Sequence, residues 1–280
     1  MGIMSKRKKK YRLALTVILF TGFGLLFFSQ TKASNDDLYK DVKFREVENT
    51  AFGFGEKLEY DVKYGFIKAG EGTIQIMQKP LNIKGREAYD IRFYVKSMPS
   101  IDVFYKVRDR YRSAVDVKGI FPWIFEQRIQ EGGYKYYFKA FFDQLGHYVY
   151  AKKKKYKVPP YVNDVISAFY YVRTLDLSSM KPGQLIHLKK FWKDSTYTLS
   201  VRIHKKTNVE VPAGKFRCIV VEPVDLQGGL FRNIGSIYVY LTDDERKLPV
   251  KVASKILIGE VSAELTKYSG LSGPIPAKLK

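Results

Sequence analysis

Apolar and polar residues alternate with a period of two along most of this 280-residue chain. Apolar or aromatic side chains occupy every second position over residues 57–64, 89–95, 103–107 and 134–142. Successive side chains of a β-strand point to opposite faces, so the pattern predicts strands with one buried and one polar side. Turn-forming residues separate the runs at positions 84–85, 132–133, 145–146, 213–214 and 243–244. The sequence therefore predicts a meander of hairpins.

The strands that this pattern predicts number about a dozen, and a sheet of that size must curl or close. One segment departs from the alternation, because an apolar stripe with helical spacing runs through Val165, Ala168, Phe169 and Val172. We expect a helix over Asn163–Leu175, with Asn163 as its cap and Asp164 in its first turn. The predicted fold class is mainly β: a large curved antiparallel sheet, either a half-barrel or an open barrel. One α-helix would plug or cover its concave face.

The N-terminus has the three-part layout of a bacterial export signal. Basic residues over Lys6–Arg12 precede an apolar run, Leu13–Phe28, and small residues follow it. Cleavage between Ala33 and Ser34 would release a periplasmic protein. The alternative is a retained anchor at residues 13–30 that holds the chain in the inner membrane, facing the periplasm. The expected division is a signal peptide or anchor at 1–33, a single β domain at 34–268 and an irregular C-terminal tail at 269–280.

The charge of the chain favours anionic partners. Lys and Arg number 49 and Asp and Glu 28, and seven of the basic residues but none of the acidic ones precede residue 34. The exported part therefore keeps 42 basic and 28 acidic residues, a net charge of +14. Anionic lipids, lipopolysaccharide and cell-wall polymers are the partners that such a charge attracts outside the cytoplasm. Export argues against nucleic acid as a partner.

Residue types that carry common catalytic or metal chemistry are sparse. The sole cysteine, Cys218, lies in an apolar run that should raise its pKa, so we expect a buried hydrophobe and no disulfide. His147, His187 and His204 lack the close spacing of a metal site. Neither a Gly-x-Ser-x-Gly elbow nor a dinucleotide-binding loop occurs. The sequence therefore predicts no metal, no cofactor and no catalytic residue.

The candidate binding residues are aromatic and basic. Aromatics alternate with Lys and Arg along several runs, which fits either ordinary strand propensity or a groove for an amphipathic ligand. The candidate ligand-binding residues are Arg108, Arg110, Tyr136, Phe138, Phe169 and Tyr170. A second candidate surface is a solvated loop or a contact with anionic membrane, formed by Lys152, Lys153, Lys154 and Lys155. Asp109 is expected to point inward, paired with an arginine of a neighbouring strand.

Four motifs in order resemble a family of exported Gram-negative proteins, the domain of unknown function 3108. They are Gly55–Val62 with Ala69–Gly72, Arg108–Ser113 with Asp116–Pro122, Asp164–Arg173, and Thr242–Asp244 with Lys247–Val250. The resemblance spans about Phe52 to Tyr268 and implies a secreted β domain, but the family has no established activity. The Asp-Asp and Leu-Pro-Val turn is also similar to one in periplasmic lipoprotein carriers. In those half-barrels a curved sheet with a helical lid holds acyl chains.

We expect a non-catalytic protein of the cell envelope that binds an amphipathic or lipid-like ligand in its curved sheet. The expected partners are a lipid or another anionic envelope component, an envelope protein and the membrane surface. Two alternatives stay open: a scaffold for protein interactions in envelope assembly, and an enzyme that acts on envelope polymers. Convergence of Asp109, Glu131 or a histidine in one pocket would favour the enzyme.

Overall fold

The alternating runs form strands in the computed structural model, which describes residues 38–224, 236–255 and 259–280. The export signal predicted at residues 1–33 lies outside the described residues. The described elements are β1 (Lys57–Tyr64), β2 (Ile67–Ile76), β3 (Leu81–Ile83), β4 (Arg86–Ser97), α1 (Pro99–Asp102), β5 (Arg108–Asp116), β6 (Pro122–Glu131), β7 (Tyr134–Asp143), β8 (Tyr148–Ala151), β9 (Lys154–Lys157), α2 (Val165–Arg173), β10 (Leu185–Trp192), β11 (Ser195–Val211), β12 (Gly214–Val224), β13 (Ile237–Thr242), β14 (Pro249–Lys255), β15 (Glu260–Ser269) and β16 (Lys278–Leu279).

The strands form one antiparallel sheet made of two consecutive meanders. The order across the sheet is β10-β11-β12-β13-β14-β15-β1-β2-β4-β5-β6-β7-β8-β9, with β3 added beside β4 and β16 beside β12. The two meanders meet where β15 pairs with β1. Helix α2 lies between them in sequence and follows one edge strand, β9, while preceding the other, β10.

The sheet curves until its two edge strands come close. The rings of Tyr156 in β9 and Phe191 in β10 lie 5.4 Å apart between centroids. Asn163, just before α2, forms a single parallel bridge with Lys190 of β10. Among the described residues no ladder joins β9 to β10, so the sheet remains open. The predicted fold class, a curved antiparallel sheet with a half-barrel or open-barrel form, is confirmed.

Helix α2 begins at Val165 because the Asp164 side chain caps it. The Asp164 carboxylate accepts hydrogen bonds from the backbone N–H groups of Ile166 (2.7 Å) and Ser167 (3.0 Å). The Ser167 hydroxyl in turn accepts one from the Asp164 N–H, which completes a capping box. Asn163, the expected cap, instead exchanges backbone hydrogen bonds with β10. Its backbone is therefore committed to the sheet, and the cap falls one residue later.

Helix α2 lies inside the curved sheet, and different sides of the helix pack against different buried clusters. Ala168 and Val172 belong to one buried cluster, which includes Leu241 of the C-terminal meander. Tyr170 belongs to another cluster, which includes Ile91 of the N-terminal meander. Contacts with both meanders explain why the helix forms a plug and not a surface lid.

The two ends of the sheet differ in whether helix α2 fills the interior beside them. We call the upper end the one that carries the turns β1–β2 and β6–β7 and the connection between β4 and β5. The C-terminal end of α2 lies near the opposite, lower end, since Arg173 contacts Glu56, the residue before β1. The helix therefore closes the lower half of the interior.

Two features differ from the sequence-based expectations. Residues 103–107 do not form a strand, because Pro99 starts the short helix α1 and the chain turns before β5. The C-terminal segment, expected to be irregular, contains β16, and Ala277 is fully buried. Its backbone N–H donates to the Asp244 carboxylate at 3.0 Å, which ties this segment to the turn before β14. In the described part of the chain, no helix is long and apolar enough to cross a membrane.

Candidate functional site

The inner face of the sheet is fully buried near the helix and half-buried towards the upper end. Along β4, Ile91 is completely buried, whereas Phe93 and Val95, further up the same face, are half-buried. Tyr111 of β5 and Tyr136 of β7 are also half-buried on this face, whereas Asp109 of β5 and Gln127 of β6 between them are buried. The rings of Phe93 and Tyr111 lie 5.5 Å apart, so this upper part is an aromatic surface. We call it the inner aromatic surface.

Two carboxyl groups meet beside this surface. Asp109 in β5 is 6% exposed, and its Oδ1 accepts a hydrogen bond from the Gln130 N–H at 2.9 Å. It also shares a hydrogen bond with the Glu131 side chain. Burial, together with the negative charge of Glu131, raises the pKa of Asp109 to about 6, although the Gln130 N–H opposes this rise. The inward orientation matches the prediction, but the partner is a second carboxyl group and not an arginine.

Two buried polar atoms on the inner face of β6 and β7 have no hydrogen-bond partner in the described structure. They are the Gln127 Oε1 and the Tyr136 hydroxyl oxygen. Gln127 lies directly across from Tyr111 in the β5–β6 ladder and forms a side-chain hydrogen bond with it. Buried polar groups normally have partners, so these atoms indicate a place where a further polar group fits. With Asp109 and Glu131, they suit a ligand that carries hydroxyl or ammonium donors.

Arg108 and Arg110 lie on the other face of the sheet. They line two adjoining outer hollows of about 580 and 650 Å³. Arg108 is paired with Asp102 of α1. Arg110 stands directly opposite Arg128 in the β5–β6 ladder, and neither has an ion pair among the described residues. These two predicted residues therefore do not join the inner aromatic surface.

The other predicted ligand-binding residues are divided among three environments. Tyr136 faces the inner aromatic surface, whereas Phe138, two residues on, is buried in the core beside Phe125. Phe169 is half-buried on α2 and packs against two core clusters. Tyr170 is fully buried, and its hydroxyl donates to Glu56 at 3.4 Å. Of these four residues, Tyr136 is the one that combines partial exposure with an unpartnered polar atom.

The four predicted lysines of the membrane contact lie at the β8–β9 hairpin. Lys152 and Lys153 form its turn with positive φ values, and Lys154 and Lys155 begin β9. All four are exposed, and the Lys155 ammonium lies 3.7 Å from the centroid of the Tyr148 ring. Part of the block is therefore strand and part is turn, in place of a single loop.

Two of the histidines form side-chain hydrogen bonds, and the cysteine is buried. His187 Nδ1 lies 3.0 Å from the Ser200 hydroxyl, and His204 Nε2 lies 2.8 Å from the Glu222 carboxylate. Burial raises the pKa of Cys218 to about 12, as the apolar run predicts. The described residues contain no group of three or more His, Cys, Asp or Glu that could hold a metal ion.

Sequence reasoning missed Gln127 and underrated Glu131. Glu131 precedes the Gly132–Gly133 turn, and this position does not by itself indicate a carboxyl partner. The register that brings β5 and β6 together sets both residues on the face of Asp109. The alternation of β6, in which Phe125, Gln127 and Ile129 share a buried face, carried that signal.

Three solved structures resemble the chain at low sequence identity. A β-barrel-like protein of domain-of-unknown-function family DUF1849 from Brucella abortus has 10% identity and a TM-score of 0.48, with 78% of this chain and 98% of that chain covered. A candidate lipoprotein from Parabacteroides distasonis has 10% identity, a TM-score of 0.32 and coverage of 79% and 100%. A candidate exported protein with a YmcC-like fold from Bacteroides fragilis has 12% identity, a TM-score of 0.31 and coverage of 80% and 100%.

The comparison by sequence identifies the family. A search of curated proteins finds no match to the chain. The profile described as "Protein of unknown function (DUF3108)" matches residues 59–266, most of the chain and nearly the span over which the four motifs occur. The chain therefore belongs to the DUF3108 family.

Proposed function

We propose that this protein is a non-catalytic component of the cell envelope that binds an amphipathic, lipid-like ligand on its inner aromatic surface. The observation that carries the proposal is the change in burial along one face of the sheet. Ile91 is sealed by the plug, whereas Phe93 and Val95 of the same strand stay half-buried. Apolar side chains that line a concave surface without being covered suit an apolar ligand.

The carboxyl pair indicates the chemistry of the polar end of the proposed ligand. Asp109, Glu131 and the Gln127 Oε1 are all hydrogen-bond acceptors, provided that at most one of the two carboxyl groups is protonated. A headgroup with hydroxyl or ammonium donors would satisfy them, while its apolar portion would pack on Phe93 and Tyr111. The proposed ligand class is therefore an amphiphile whose polar end donates hydrogen bonds.

The proposed compartment is the periplasm. The support is the sequence of residues 1–33, with its basic start, apolar run and small residues. Intact-mass measurement of the protein released by osmotic shock tests this directly. A mass that starts at Ser34 supports export with cleavage, and a chain found solely in the membrane fraction at full length supports the anchor.

Native mass spectrometry of the osmotic-shock protein tests the ligand. We expect an adduct with the mass of a lipid, and we expect organic extraction to remove it. In the delipidated protein, lysophosphatidylethanolamine should displace the fluorescent probe 1-N-phenylnaphthylamine. Its ammonium group supplies the donors that the site lacks.

Consecutive positions of β4 supply a matched pair of variants. Phe93→Ser alters the inner aromatic surface, whereas Tyr94→Ser alters the outer face one residue later. We expect Phe93→Ser to weaken probe binding at least tenfold and Tyr94→Ser to change it less than twofold. Equal effects of both variants, or no bound lipid and no probe binding in the wild type, would overturn the proposal. A stoichiometric protein partner without lipid would favour the scaffold.

The carboxyl pair also supports a second candidate, an enzyme that acts on envelope polymers. Two carboxyl groups that share a hydrogen bond, one with its pKa raised to about 6, resemble the paired carboxyl groups that share one proton in the hydrolysis of peptide bonds. Incubation with purified peptidoglycan and chromatography of the products tests this candidate. Product release by the wild type that Asp109→Asn abolishes would favour the enzyme over the binding protein.

A further inference from the structure

Three apolar side chains at the upper end are almost entirely exposed. Phe66 in the β1–β2 turn is 94% exposed, and Val103 and Phe104 after α1 are 80% and 86% exposed. They are the most exposed large hydrophobic residues of the described chain. Ile67, beside Phe66, is 50% exposed. We call these four residues the apolar rim.

The segments that carry the rim are joined by backbone hydrogen bonds. The Met98 N–H, just before α1, donates to the Ala69 carbonyl of β2 at 2.9 Å. The Gly132 N–H of the β6–β7 turn donates to the Lys106 carbonyl at 2.8 Å. The tips are therefore fixed relative to the sheet, and two neighbouring connections present them at one end of it.

Basic residues lie directly below the rim on the outer face. Lys106, Arg110, Arg128 and Lys135 form what we call the basic belt. Arg110 and Arg128 face each other across two strands without an acidic partner among the described residues, and Arg128 contacts the Tyr137 ring at 5.1 Å. Like charges directly opposite each other repel, so this arrangement favours an external anion.

Asp109 and Glu131 lie on the inner face, and the acidic residues near the belt on the outer face are already neutralised. Asp102 is paired with Arg108, and Glu71 is paired with both Lys68 and Lys96. The basic belt therefore keeps its excess of positive charge.

We propose that the upper end docks on the surface of a bilayer that contains anionic lipids, with the apolar rim inserted and the basic belt at the headgroups. Strand residues rise about 3.3 Å each, so Arg110 and Arg128 lie roughly 7–10 Å below the strand ends. This spacing matches the depth of about 5–10 Å to which interfacial apolar side chains enter a membrane. Separate apolar tips with cations beside them on the outer face fit a headgroup layer better than a protein partner, which needs a continuous complementary patch.

This inference goes beyond the proposed function, because docking requires no ligand on the inner aromatic surface. It also differs from the predicted contact through Lys152–Lys155. Ala151, where β8 ends, pairs with Ala140, six residues along β7 from its upper end. The lysine turn therefore lies roughly 20 Å below the rim.

Flotation of the osmotic-shock protein with vesicles tests the inference. We expect binding to phosphatidylglycerol vesicles to exceed binding to phosphatidylcholine vesicles at least tenfold and to weaken in 0.5 M salt, since exposed charges are then screened. The double variant Phe66→Ser/Phe104→Ser should lose at least tenfold in vesicle affinity. The control Leu145→Ser removes an apolar residue that is 52% exposed at the lower end, and it should change the affinity less than twofold.

A fluorescence readout keeps the test independent of any N-terminal anchor. Phe104→Trp should show a blue-shifted tryptophan emission on addition of phosphatidylglycerol vesicles, whereas Leu145→Trp should not. No blue shift at position 104, or equal losses in the rim and control variants, would overturn the inference. The inference would also be overturned if a protein that co-purifies stoichiometrically with the wild type is lost from the Phe66→Ser/Phe104→Ser variant while vesicle binding stays unchanged. That result would favour a protein partner.

Discussion

Glu56 and Arg173 lie 117 positions apart and form a bidentate ion pair inside the sheet, with Nη1–Oε1 at 2.7 Å and Nη2–Oε2 at 2.8 Å. Their side chains are 1% and 0% exposed. Glu56 belongs to the first of the four family motifs and Arg173 ends the third. Arg173 also donates to the Arg246 carbonyl, within the span of the fourth. These three motifs therefore meet where α2 is fixed inside the sheet. The contact indicates a structural role for Glu56 and Arg173.

We expect Glu56→Ala to lower the free energy of unfolding by about 3–5 kcal/mol, because it leaves the Arg173 guanidinium buried without its counter-charge. The partly exposed pair of Arg108 with Asp102 provides the control, and Asp102→Ala should lower the free energy of unfolding far less, because water screens this pair. Urea unfolding followed by circular dichroism measures both. A similar cost for the two variants would contradict a buried ion pair. The double variant Glu56→Leu/Arg173→Met should be more stable than Glu56→Ala.

The raised pKa of Asp109 predicts a pH dependence of stability. Its folded-state pKa of about 6 exceeds the ordinary value of 3.8, so the folded state binds the proton more tightly. The stabilisation is complete below about pH 4 and is lost as the pH rises through about 6. Between pH 4.5 and 7 we expect the wild type to lose about 1–2 kcal/mol relative to Asp109→Asn. Asp164, whose pKa burial also raises to about 6, is present in both proteins and does not affect the difference.

Unfolding curves at half-unit pH steps measure this effect. Superimposable pH profiles for the wild type and Asp109→Asn would contradict the assignment.

Removing the Tyr136 hydroxyl should leave the ligand-free protein as stable as before or make it more stable. This hydroxyl is buried and has no partner, so Tyr136→Phe removes a desolvation cost and no hydrogen bond. The matched variant is Tyr60→Phe, because the Tyr60 hydroxyl donates to the Pro249 carbonyl at 2.7 Å in the core. That variant should cost about 1 kcal/mol. Thermal unfolding of delipidated protein compares them, and a larger cost at Tyr136 would show that its hydroxyl has a partner.

Gly270, just after β15, should tolerate alanine worse than Gly65 in the β1–β2 turn. Both have left-handed φ values, +67° and +58°, so alanine strains the backbone at each position. A Cβ at Gly270 would lie 2.0 Å from the Gly55 carbonyl oxygen, whereas a Cβ at Gly65 would have no neighbour within 4 Å. We expect Gly65→Ala to cost about 1 kcal/mol and Gly270→Ala at least twice as much. Equal shifts in urea midpoint would indicate that the close approach is relieved at no cost.

The sequence predicted the local structure well where alternation and turn residues agree. β4 and β7 follow their apolar periodicity, and α2 lies within one residue of its expected start. The prediction was wrong at residues 103–107, where an alternating pattern continued past Pro99 but the chain formed a helix and a turn. The alternation of Val103, Tyr105 and Val107 is too short to outweigh a proline that starts a helix.

The candidate site was harder to predict because it depends on register. Asp109 was singled out from its own strand, but its partner Glu131 is set by the pairing of β5 with β6. The role of the Gln127 side chain depends on its hydrogen bond with Tyr111, the residue opposite it in the β5–β6 ladder. The outward position of Arg110 follows from the same alternation that places Asp109 inside. Single-strand patterns thus give the face of a residue, and neighbouring strands decide what it meets.

The pairing of β1 with β15 determines the order in which the parts of the sheet form during folding. Hairpins within each meander join residues close in sequence, whereas this junction joins residues such as Glu59 and Thr266, which are 207 positions apart. Local pairs form early and distant pairs late, because the entropy of closing a long loop opposes them. We therefore expect two half-sheets to assemble first, each with an unpaired edge, and to join last. Until then β1 and β15 are sites at which a chaperone would prevent aggregation.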